Sequence, residues 1–195
     1  MVVARRIVRQ RQSEMTLFIF SEEESMKEAL NILLPKIGIE DFKVIPHQGV
    51  RDLERSLARK LRAWNDPAAR FLVLRDNDKG DCIARKARLA EVVASAGKTD
   101  QTKIRIVCQE LEAWFIGDIA ALRAAGIFTA INAPKAIIGD PDDIDQPIRH
   151  LKKMQATYQK TGGARAIAEH MEPECNRSES FQQTMRAAKQ LSGTI

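Results

Sequence analysis

Short apolar runs alternate with amphipathic stretches along most of this chain, and that alternation restricts its fold more than any other feature. Apolar residues recur every three or four positions in the amphipathic stretches, which predicts helices. Strands that alternate with helices favour βαβ crossovers and a mostly parallel sheet. The sequence therefore predicts an α/β fold in which helices flank the sheet. The predicted strands are 17–20, 42–45, 71–74 and 104–108, and the predicted helices between and after them are 25–34, 50–64, 83–96 and 111–115.

The pattern changes after about residue 126, where prolines and glycines interrupt it. We divide the chain into an α/β domain at 15–125 and a helical C-terminal appendage at 126–195 that packs on it. The arginine-rich residues 1–14 precede Met15 and are interpreted as either a basic arm or a wrongly assigned start. The helices predicted in the appendage are 148–161, 164–171 and 180–191.

Basic residues are concentrated at the two ends of the chain. The formal net charge is +5, made up of +3 in residues 1–14, −2 in residues 15–148 and +4 in residues 149–195. A basic protein favours a polyanionic partner such as nucleic acid. The acidic middle shows that this partner is not bound by a uniformly basic surface.

Several classes of protein are excluded by what the chain lacks. No run approaches the eighteen or so apolar residues of a membrane span, and no GxxxxGK[ST] motif is present, so ATP hydrolysis through a P-loop is not expected. Cys82, Cys108 and Cys175 are too widely spaced for a CxxC zinc or redox motif. Three widely spaced cysteines do not suggest a disulfide framework, which fits a reduced, cytoplasmic setting.

Acidic residues follow three of the four predicted strands. The carboxyl ends of parallel strands meet at one edge of a sheet, where ligands bind. Carboxylates that converge there repel one another, and Mg²⁺ or Mn²⁺ would offset that repulsion with ligands of the preferred type. The acidic residues are Glu22, Glu23 and Glu24 after the first strand, Asp76, Asp78 and Asp81 after the third, and Glu110 and Glu112 after the fourth.

Each acidic group also has an ordinary structural interpretation. Carboxylates in the first turn of a helix interact favourably with the helix dipole, and the residues after the third strand are typical of a turn. An EF-hand calcium loop does not fit, because its fifth, sixth and twelfth positions counted from Asp76 would be Gly80, Asp81 and Ala87. Acidic residues after three different strands are easier to explain by one shared metal site than by three separate roles at helix starts and turns.

Four segments in this order resemble the Toprim-like family DUF4276: SEEESMKEAL (21–30), FLVLRDNDKGDC (71–82), IRIVCQELEAWFIGD (104–118) and NRSESF (176–181). A glutamate after one strand and an Asp-x-Asp after a later strand also resemble the Toprim domain of topoisomerases, primases and OLD-family nucleases. The resemblance implies a Toprim-like sheet, with Glu22 as general acid or base and Asp76 and Asp78 as Mg²⁺ ligands. Toprim proteins usually have glycine directly after the motif glutamate. Here Glu23 follows Glu22, so Glu23 stays a candidate for the catalytic role.

The ELEAW segment belongs to DUF4276 and not to Toprim domains in general. Glu110 and Glu112 are therefore candidate ligands of a second metal or outer contacts of the first. The resemblance also implies a partner ATPase and a role in phage defence. A topoisomerase activity is disfavoured because it needs a nucleophilic tyrosine, and the single tyrosine, Tyr158, lies in the appendage.

Nucleic acid is expected to contact basic side chains outside the acidic edge. Four arginines repeat at spacings of four, four and three on the helix predicted at 50–64, opposite its apolar face. A solvated helix face is the alternative for this stripe. Other basic candidates flank the Asp pair or lie in NRSESF, where Ser178 or Ser180 is expected to cap the last helix. The nucleic-acid-binding candidates are Arg51, Arg55, Arg59, Arg62, Arg75, Lys79 and Arg177.

Two functions from different classes follow. The first is a Mg²⁺-dependent Toprim-like nuclease or related phosphotransferase that acts on nucleic-acid phosphodiesters. The second is a non-catalytic subunit that binds nucleic acid or an ATPase and whose acidic residues are structural. A phosphohydrolase of small molecules is a third, weaker hypothesis.

Overall fold

The computed structural model describes residues 16–127 and 139–194. The segment interpreted as an arm, 1–14, lies outside the described residues. Within the described ranges, no helix combines the length and apolar character needed to cross a bilayer. The strands are β1 (Leu17–Ser21), β2 (Phe42–Pro46), β3 (Arg70–Asp76) and β4 (Thr102–Val107). The α-helices are α1 (Glu24–Lys36), α2 (Val50–Arg62), α3 (Cys82–Ser95), α4 (Leu111–Ile116), α5 (Ile119–Ala124), α6 (Pro147–Met154), α7 (Lys160–His170) and α8 (Glu179–Ser192).

The four strands form one parallel sheet in the order β2-β1-β3-β4. The predicted α/β fold class is therefore confirmed. From β1 the chain moves outward to β2, and then returns past β1 to β3 and β4. The strand order thus reverses between β1 and β3, which is where open parallel sheets bind their ligands.

Side chains of each strand alternate between the two faces of the sheet. Leu17 and Ile19 of β1 point into one core, while Phe20 points into the other. Helices α1 and α8 cover the first face, with α7 packed on α1, and helices α2 and α3 cover the second. The helices of segment 126–195 contribute to the larger, first core, while the domain boundary itself stays a prediction.

The prediction of a single helix at 148–161 is wrong, because in the structure α6 ends at Met154 and α7 begins at Lys160. Helix α6 ends at Met154, and Gln155 has an extended backbone. The break lets the chain turn so that Tyr158 is 3 % exposed against the start of α7. A Cβ atom on Gly163 would collide with the Tyr158 ring, so this packing requires a residue without a side chain there.

Candidate functional site

The loops after β1 and β3 are held in place by backbone hydrogen bonds at the carboxyl edge of the sheet. The amide of Gly49 donates to the carbonyl of Glu22 at 3.0 Å, and the amide of Asn77 donates to the carbonyl of Val107 at 2.9 Å. The first bond joins the loops after β1 and β2, and the second ties the loop after β3 to the last residue of β4. The residues directly after the strands are therefore fixed by the sheet rather than left in free loops.

Five carboxylates lie together at the switch point between β1 and β3, and we call them the acidic cluster: Glu22, Glu23, Asp76, Asp78 and Glu112. Asp76 is the last residue of β3 and is 7 % exposed. Its amide donates to Glu22 Oε2 at 3.3 Å, which joins the ends of the two strands. Three of the four predicted strands thus deliver carboxylates to one place.

Burial and mutual repulsion disfavour the charged forms within the acidic cluster. Burial raises the pKa of Asp76 well above its usual value, and the charge of Glu22 raises it further. Burial also raises the pKa of Glu22, and the charge of Asp78 adds to that effect. Carboxylates perturbed in this way are typical of functional sites.

Glu112 is the most deeply buried carboxylate of the acidic cluster. It lies in the first turn of α4 and is 1 % exposed, and its Oε1 has no hydrogen-bond partner among the described residues. Burial raises its pKa to about 7. The neighbouring Tyr158 hydroxyl also has no partner in the part of the chain that the structure describes, and burial and the Glu112 charge raise its pKa. Buried polar atoms without hydrogen-bond partners are unusual in folded proteins.

Lys160, at the start of α7, reaches the acidic cluster from outside the sheet. Its Nζ lies 3.0 and 2.9 Å from the two carboxylate oxygens of Glu23. The charges of Glu23, Glu112 and Asp76 all raise the pKa of Lys160, against the opposing effect of its burial. Sequence reasoning missed this lysine because residue 160 fell near the end of a helix that the structure divides.

Glu22 and Glu23 have different environments, although they are adjacent in the sequence. Glu23 is bound by Lys160 and accepts a hydrogen bond from Ser25 Oγ at 3.3 Å. Glu22 contacts the backbone of Asp76 instead. Glu22 is therefore joined to the end of β3, whereas Glu23 is joined to α7.

Asp78 lies in a turn with an unusual backbone. Asp78 and Lys79 have φ angles of 44° and 60°, in the left-handed region that non-glycine residues seldom adopt. The turn is held by bonds to Gln109, which accepts from the Asp78 amide through its carbonyl oxygen and from the Lys79 amide through its side chain, both at 3.1 Å. This turn leaves Asp78 exposed at the edge of the cluster.

Two other predicted acids serve the fold instead. Asp81 caps α3, because its Oδ1 accepts from the amides of Ile83 at 2.9 Å and Ala84 at 3.1 Å. Glu110 Oε2 accepts from the amide of Ile148 at 3.2 Å, at the start of α6. These two carboxylates therefore have structural roles, whereas Glu112 lies in the first turn of α4 and is also buried in the acidic cluster.

The arginine stripe on α2 is exposed as its spacing predicts. The side chains of Arg51, Arg55 and Arg59 form no ion pair or hydrogen bond with any residue that the structure describes. Arg62 is also exposed, and its guanidinium contacts Ser95 through three bonds of 3.3–3.4 Å. The stripe lies on the exposed side of α2, the helix that covers the second face of the sheet.

The remaining basic candidates are engaged within the protein. Arg75 is 8 % exposed and faces Glu54 at 3.6 Å, so burial hides it from a bulky polyanion. Lys79 pairs with Asp145 at 2.5 Å. Arg177 donates to the carbonyls of Gly139 at 2.9 Å and Ile116 at 3.2 Å. These three side chains have partners within the protein, whereas the side chains of Arg51, Arg55 and Arg59 have none among the described residues.

The NRSESF segment supports helix α4, which carries Glu112. Asn176 Nδ2 donates to the carbonyl of Trp114 at 2.7 Å. Ser180 Oγ accepts from the amide of Cys108 at 3.0 Å and from Trp114 Nε1 at 3.2 Å. Ser178 caps α8, as predicted, by accepting from the amide of Phe181 at 3.0 Å.

The donor set of the acidic cluster suits a hard cation, within limits set by its geometry. No three histidine, cysteine or acidic side chains among the described residues are grouped tightly enough to form a ready metal cage. Mg²⁺ commonly needs only one or two protein carboxylates, with waters and substrate phosphates as its other ligands. The unpartnered Glu112 Oε1 and the crowded Asp76 carboxylate fit that mode of binding.

Comparisons with known proteins agree with the fold and with four segments of the sequence. The family model described as "Domain of unknown function (DUF4276)" matches residues 21–187. The solved structure of the C-terminal region of the Burkholderia pseudomallei OLD protein is similar, with a TM-score of 0.54 and 15 % sequence identity. That similarity covers 88 % of this chain and 97 % of the other chain. No curated protein matches.

Proposed function

We propose, from the premise that this chain belongs to the DUF4276 family, that it is a Mg²⁺- or Mn²⁺-dependent nuclease or related phosphotransferase that acts on nucleic-acid phosphodiesters. One observation carries the proposal. Carboxylates with raised pKa values converge at the switch point of a parallel sheet, where burial makes their charge costly to the fold.

The residues that would hold the cation are Glu22, Asp76 and Asp78, with Glu112 as a further ligand. A bound divalent cation supplies charge neutralisation at the phosphodiester and lowers the pKa of water. Its positive charge would also relieve the repulsion that raises the pKa of Asp76. Glu110 is a weaker candidate, since the start of α6 already uses one of its carboxylate oxygens.

Two side chains of this protein are suited to move or balance charge during the reaction. Glu22 has a raised pKa because of burial and Asp78, which brings it closer to the range in which a carboxyl group both accepts and donates protons near neutral pH. Lys160 places an ammonium group beside the acidic cluster. In this proposal Lys160 contacts a phosphate oxygen of the substrate, while Glu22 exchanges the proton.

The arginine stripe would bind the backbone of the substrate. Its exposed members Arg51, Arg55 and Arg59 have no described partner, so they contact phosphates without breaking an existing ion pair. Phosphate contacts of this kind position a nucleic acid without reading its sequence. The stripe is therefore expected to determine how tightly the nucleic acid binds, and the acidic cluster is expected to carry out the cleavage.

A panel of nucleic-acid substrates tests this proposal. Supercoiled plasmid, single-stranded DNA and RNA are incubated with the full chain in Mg²⁺, in Mn²⁺ and in EDTA, and products are resolved on gels. We expect cleavage that needs the cation and that Glu22→Gln and Asp76→Asn abolish. Glu24→Gln is the matched control, because Glu24 is exposed, pairs with Lys27 and lies outside the acidic cluster. Cleavage that persists in both cluster variants would contradict the assignment.

A non-catalytic subunit is the second candidate, and one observation favours it. Lys160 already pairs with Glu23, so part of the negative charge is balanced without any metal. The subunit would bind nucleic acid or a partner ATPase, and EDTA would leave that binding unchanged. Binding without turnover in the same panel would select this function.

The partner ATPase and the role in phage defence are proposals that rest on the family alone. Repeating the substrate panel with a candidate ATPase and ATP tests the first. Cleavage that appears only with the partner would place this chain as the nuclease subunit of a two-component system.

A further inference from the structure

The outer edge of β4 is open along the part of the chain that the structure describes. β4 is the last strand of the sheet, and its inner side pairs with β3. The backbone groups of Val107 point toward β3, since its carbonyl accepts from the Asn77 amide. The direction of the backbone amide and carbonyl alternates along a strand. The backbone groups of Ile104, Ile106 and Cys108 therefore point away from β3, toward the open edge.

Only parts of this edge are used by the protein's own side chains. The Ile104 carbonyl accepts from Arg105 Nη1 at 3.3 Å, and the Cys108 amide donates to Ser180 Oγ at 3.0 Å. The amide and carbonyl of Ile106 have no partner among the described residues. Unpaired groups of this kind offer a template for a further strand.

An apolar groove runs beside the open edge. A hollow of about 450 Å³ lies between α3, β4 and α8, and a second hollow of about 270 Å³ continues toward Thr102 at the start of β4. Ile83 lines the first hollow and is 78 % exposed, whereas the other large hydrophobic side chains of the described residues are better covered. An exposed isoleucine beside a strand edge indicates a surface that another chain covers.

The charges along the groove identify the kind of chain that fits. Lys86, Lys103 and Arg105 line the second hollow, and no acidic side chain is among its described lining residues. Asp142 and Glu179 line the first hollow. Both have partners of their own, because Asp142 accepts from Ser178 Oγ and the Ser180 amide and Glu179 pairs with Arg186. An antiparallel β4 pair between two copies, centred on Ile104, is disfavoured because it would set Lys103 against Arg105 of the other copy. Like charges directly opposite each other destabilise a pair of strands.

We propose that β4 accepts an extended segment of a partner protein as a fifth strand, and that this segment alternates apolar and acidic residues. The apolar side chains would pack on Ile83, Ile104 and Ile106. The acidic side chains, on the opposite face of the added strand, would meet Lys103 and Arg105. Strand addition of this type gains affinity from backbone hydrogen bonds and specificity from alternate side chains. The inference stands apart from the proposed function, because it uses a different edge of the sheet.

A labelled peptide tests the proposal. The probe is a ten-residue peptide in which valine and glutamate alternate, carrying a fluorescein, and its binding to the full chain is followed by fluorescence anisotropy. Two control peptides replace every glutamate by lysine, or carry N-methyl groups on alternate amides. We expect binding of the first peptide only, with slowed hydrogen exchange at the amides of Ile104 and Ile106.

Variants of the protein test the apolar contact at Ile83 and the charge contact at Lys103 separately. Ile83→Glu is expected to weaken binding of the glutamate peptide at least tenfold, and Lys103→Glu is expected to transfer the preference to the lysine peptide. Ala84→Glu is the matched control, because Ala84 is an exposed residue of α3 that does not line either hollow. Circular dichroism establishes that all three variants are folded.

Four results would overturn the proposal. They are no binding of the glutamate peptide, equal binding of the N-methylated peptide, binding that appears only after residues 1–15 are removed, and self-association that Ile83→Glu abolishes. The third result would assign the edge to the chain's own amino-terminal segment. The fourth would assign it to a second copy.

Discussion

The acidic residues at the carboxyl edge of the sheet lie in two regions that differ in what their carboxylates do. At the starts of α3 and α6, Asp81 and Glu110 accept hydrogen bonds from backbone amides that the helices leave free. At the switch point between β1 and β3, Asp76 and Glu112 are buried and crowded by other carboxylates. The first region contributes to folding stability, whereas the second reduces it. A protein that retains the second arrangement is expected to use it for a ligand or a reaction.

The largest expected effect is on the cleavage rate, which should fall for variants in the acidic cluster and not for a variant of the Asp81 cap. If the proposed nuclease assignment holds, Glu22→Gln lowers the cleavage rate by about 10²–10⁴-fold, the range for removing a group that transfers a proton in the transition state. Asp76→Asn is also expected to lower the rate, because it removes a ligand of the proposed cation. Asp81→Asn keeps cleavage within about threefold, because a capping side chain contributes on the order of 1 kcal/mol to stability and touches no substrate. Initial rates of plasmid nicking measure both. Equal losses in all three variants would remove the distinction between the regions.

The second effect concerns the dependence of stability on pH. The Glu112 carboxyl has a pKa of about 7 when folded, against 4.5 as its usual value. Between these values the unfolded chain has already released the proton that the folded chain keeps, so stability falls as the pH rises from 4.5 to 7 and is level above 7. Glu112→Gln removes this decline, which amounts to about 3 kcal/mol.

Urea denaturation of the wild-type protein and Glu112→Gln at pH 5 and pH 8, in EDTA, measures the decline. The variant is expected to gain stability over the wild type as the pH rises. Glu110→Gln is the control, since Glu110 caps α6, and it is expected to show no such gain. A difference between Glu112→Gln and wild type that is the same at both pH values would show that Glu112 is not protonated in the folded protein.

Much of this site could be predicted from the sequence because strand ends are local features. The apolar runs place Glu22, Asp76 and Asp78 directly after strands, and parallel topology then brings them together. Sequence alone could not separate Glu110 from Glu112, which are two residues apart. One caps a helix and the other is buried in the cluster, and that difference depends on where α6 packs.

Lys160 shows why the rest could not be predicted. It reaches Glu23 across 137 residues of sequence, through the packing of α7 against α1. No local pattern encodes a contact of that range, and the break between α6 and α7 that makes it possible depends on the burial of Tyr158. The open edge of β4 was also beyond reach, because strand order cannot be derived from the strands themselves.

A third effect tests whether nucleic-acid binding depends on the arginine stripe rather than on the acidic cluster. Replacing Arg51, Arg55 and Arg59 together by glutamine removes three exposed charges and no ion pair among the described residues. If each contacts one phosphate of a duplex, the slope of log affinity against log salt concentration decreases in magnitude by about 3. Fluorescence anisotropy of a labelled duplex over a range of salt concentrations measures that slope.

The control for the arginine stripe is a pair of arginines on other helices. Arg165 pairs with Glu28 and Arg186 pairs with Glu179, so glutamine at these two positions changes the net charge without touching the stripe. The salt dependence is expected to remain as in the wild type. A similar decrease in both variants would mean that overall charge, rather than the stripe, attracts the nucleic acid.

The smallest expected effect tests the capping region directly. Asp81→Ala removes the acceptor for the amides of Ile83 and Ala84 and should lower the free energy of unfolding by about 1 kcal/mol. Asp81→Asn keeps an oxygen acceptor and should lose less, and both variants should keep the cation dependence of any cleavage. Urea denaturation and the nicking assay measure the two properties on the same samples. If Asp81→Ala leaves stability unchanged but abolishes cleavage, Asp81 belongs with the acidic cluster, since a carboxylate that only caps a helix is needed for folding and not for the reaction.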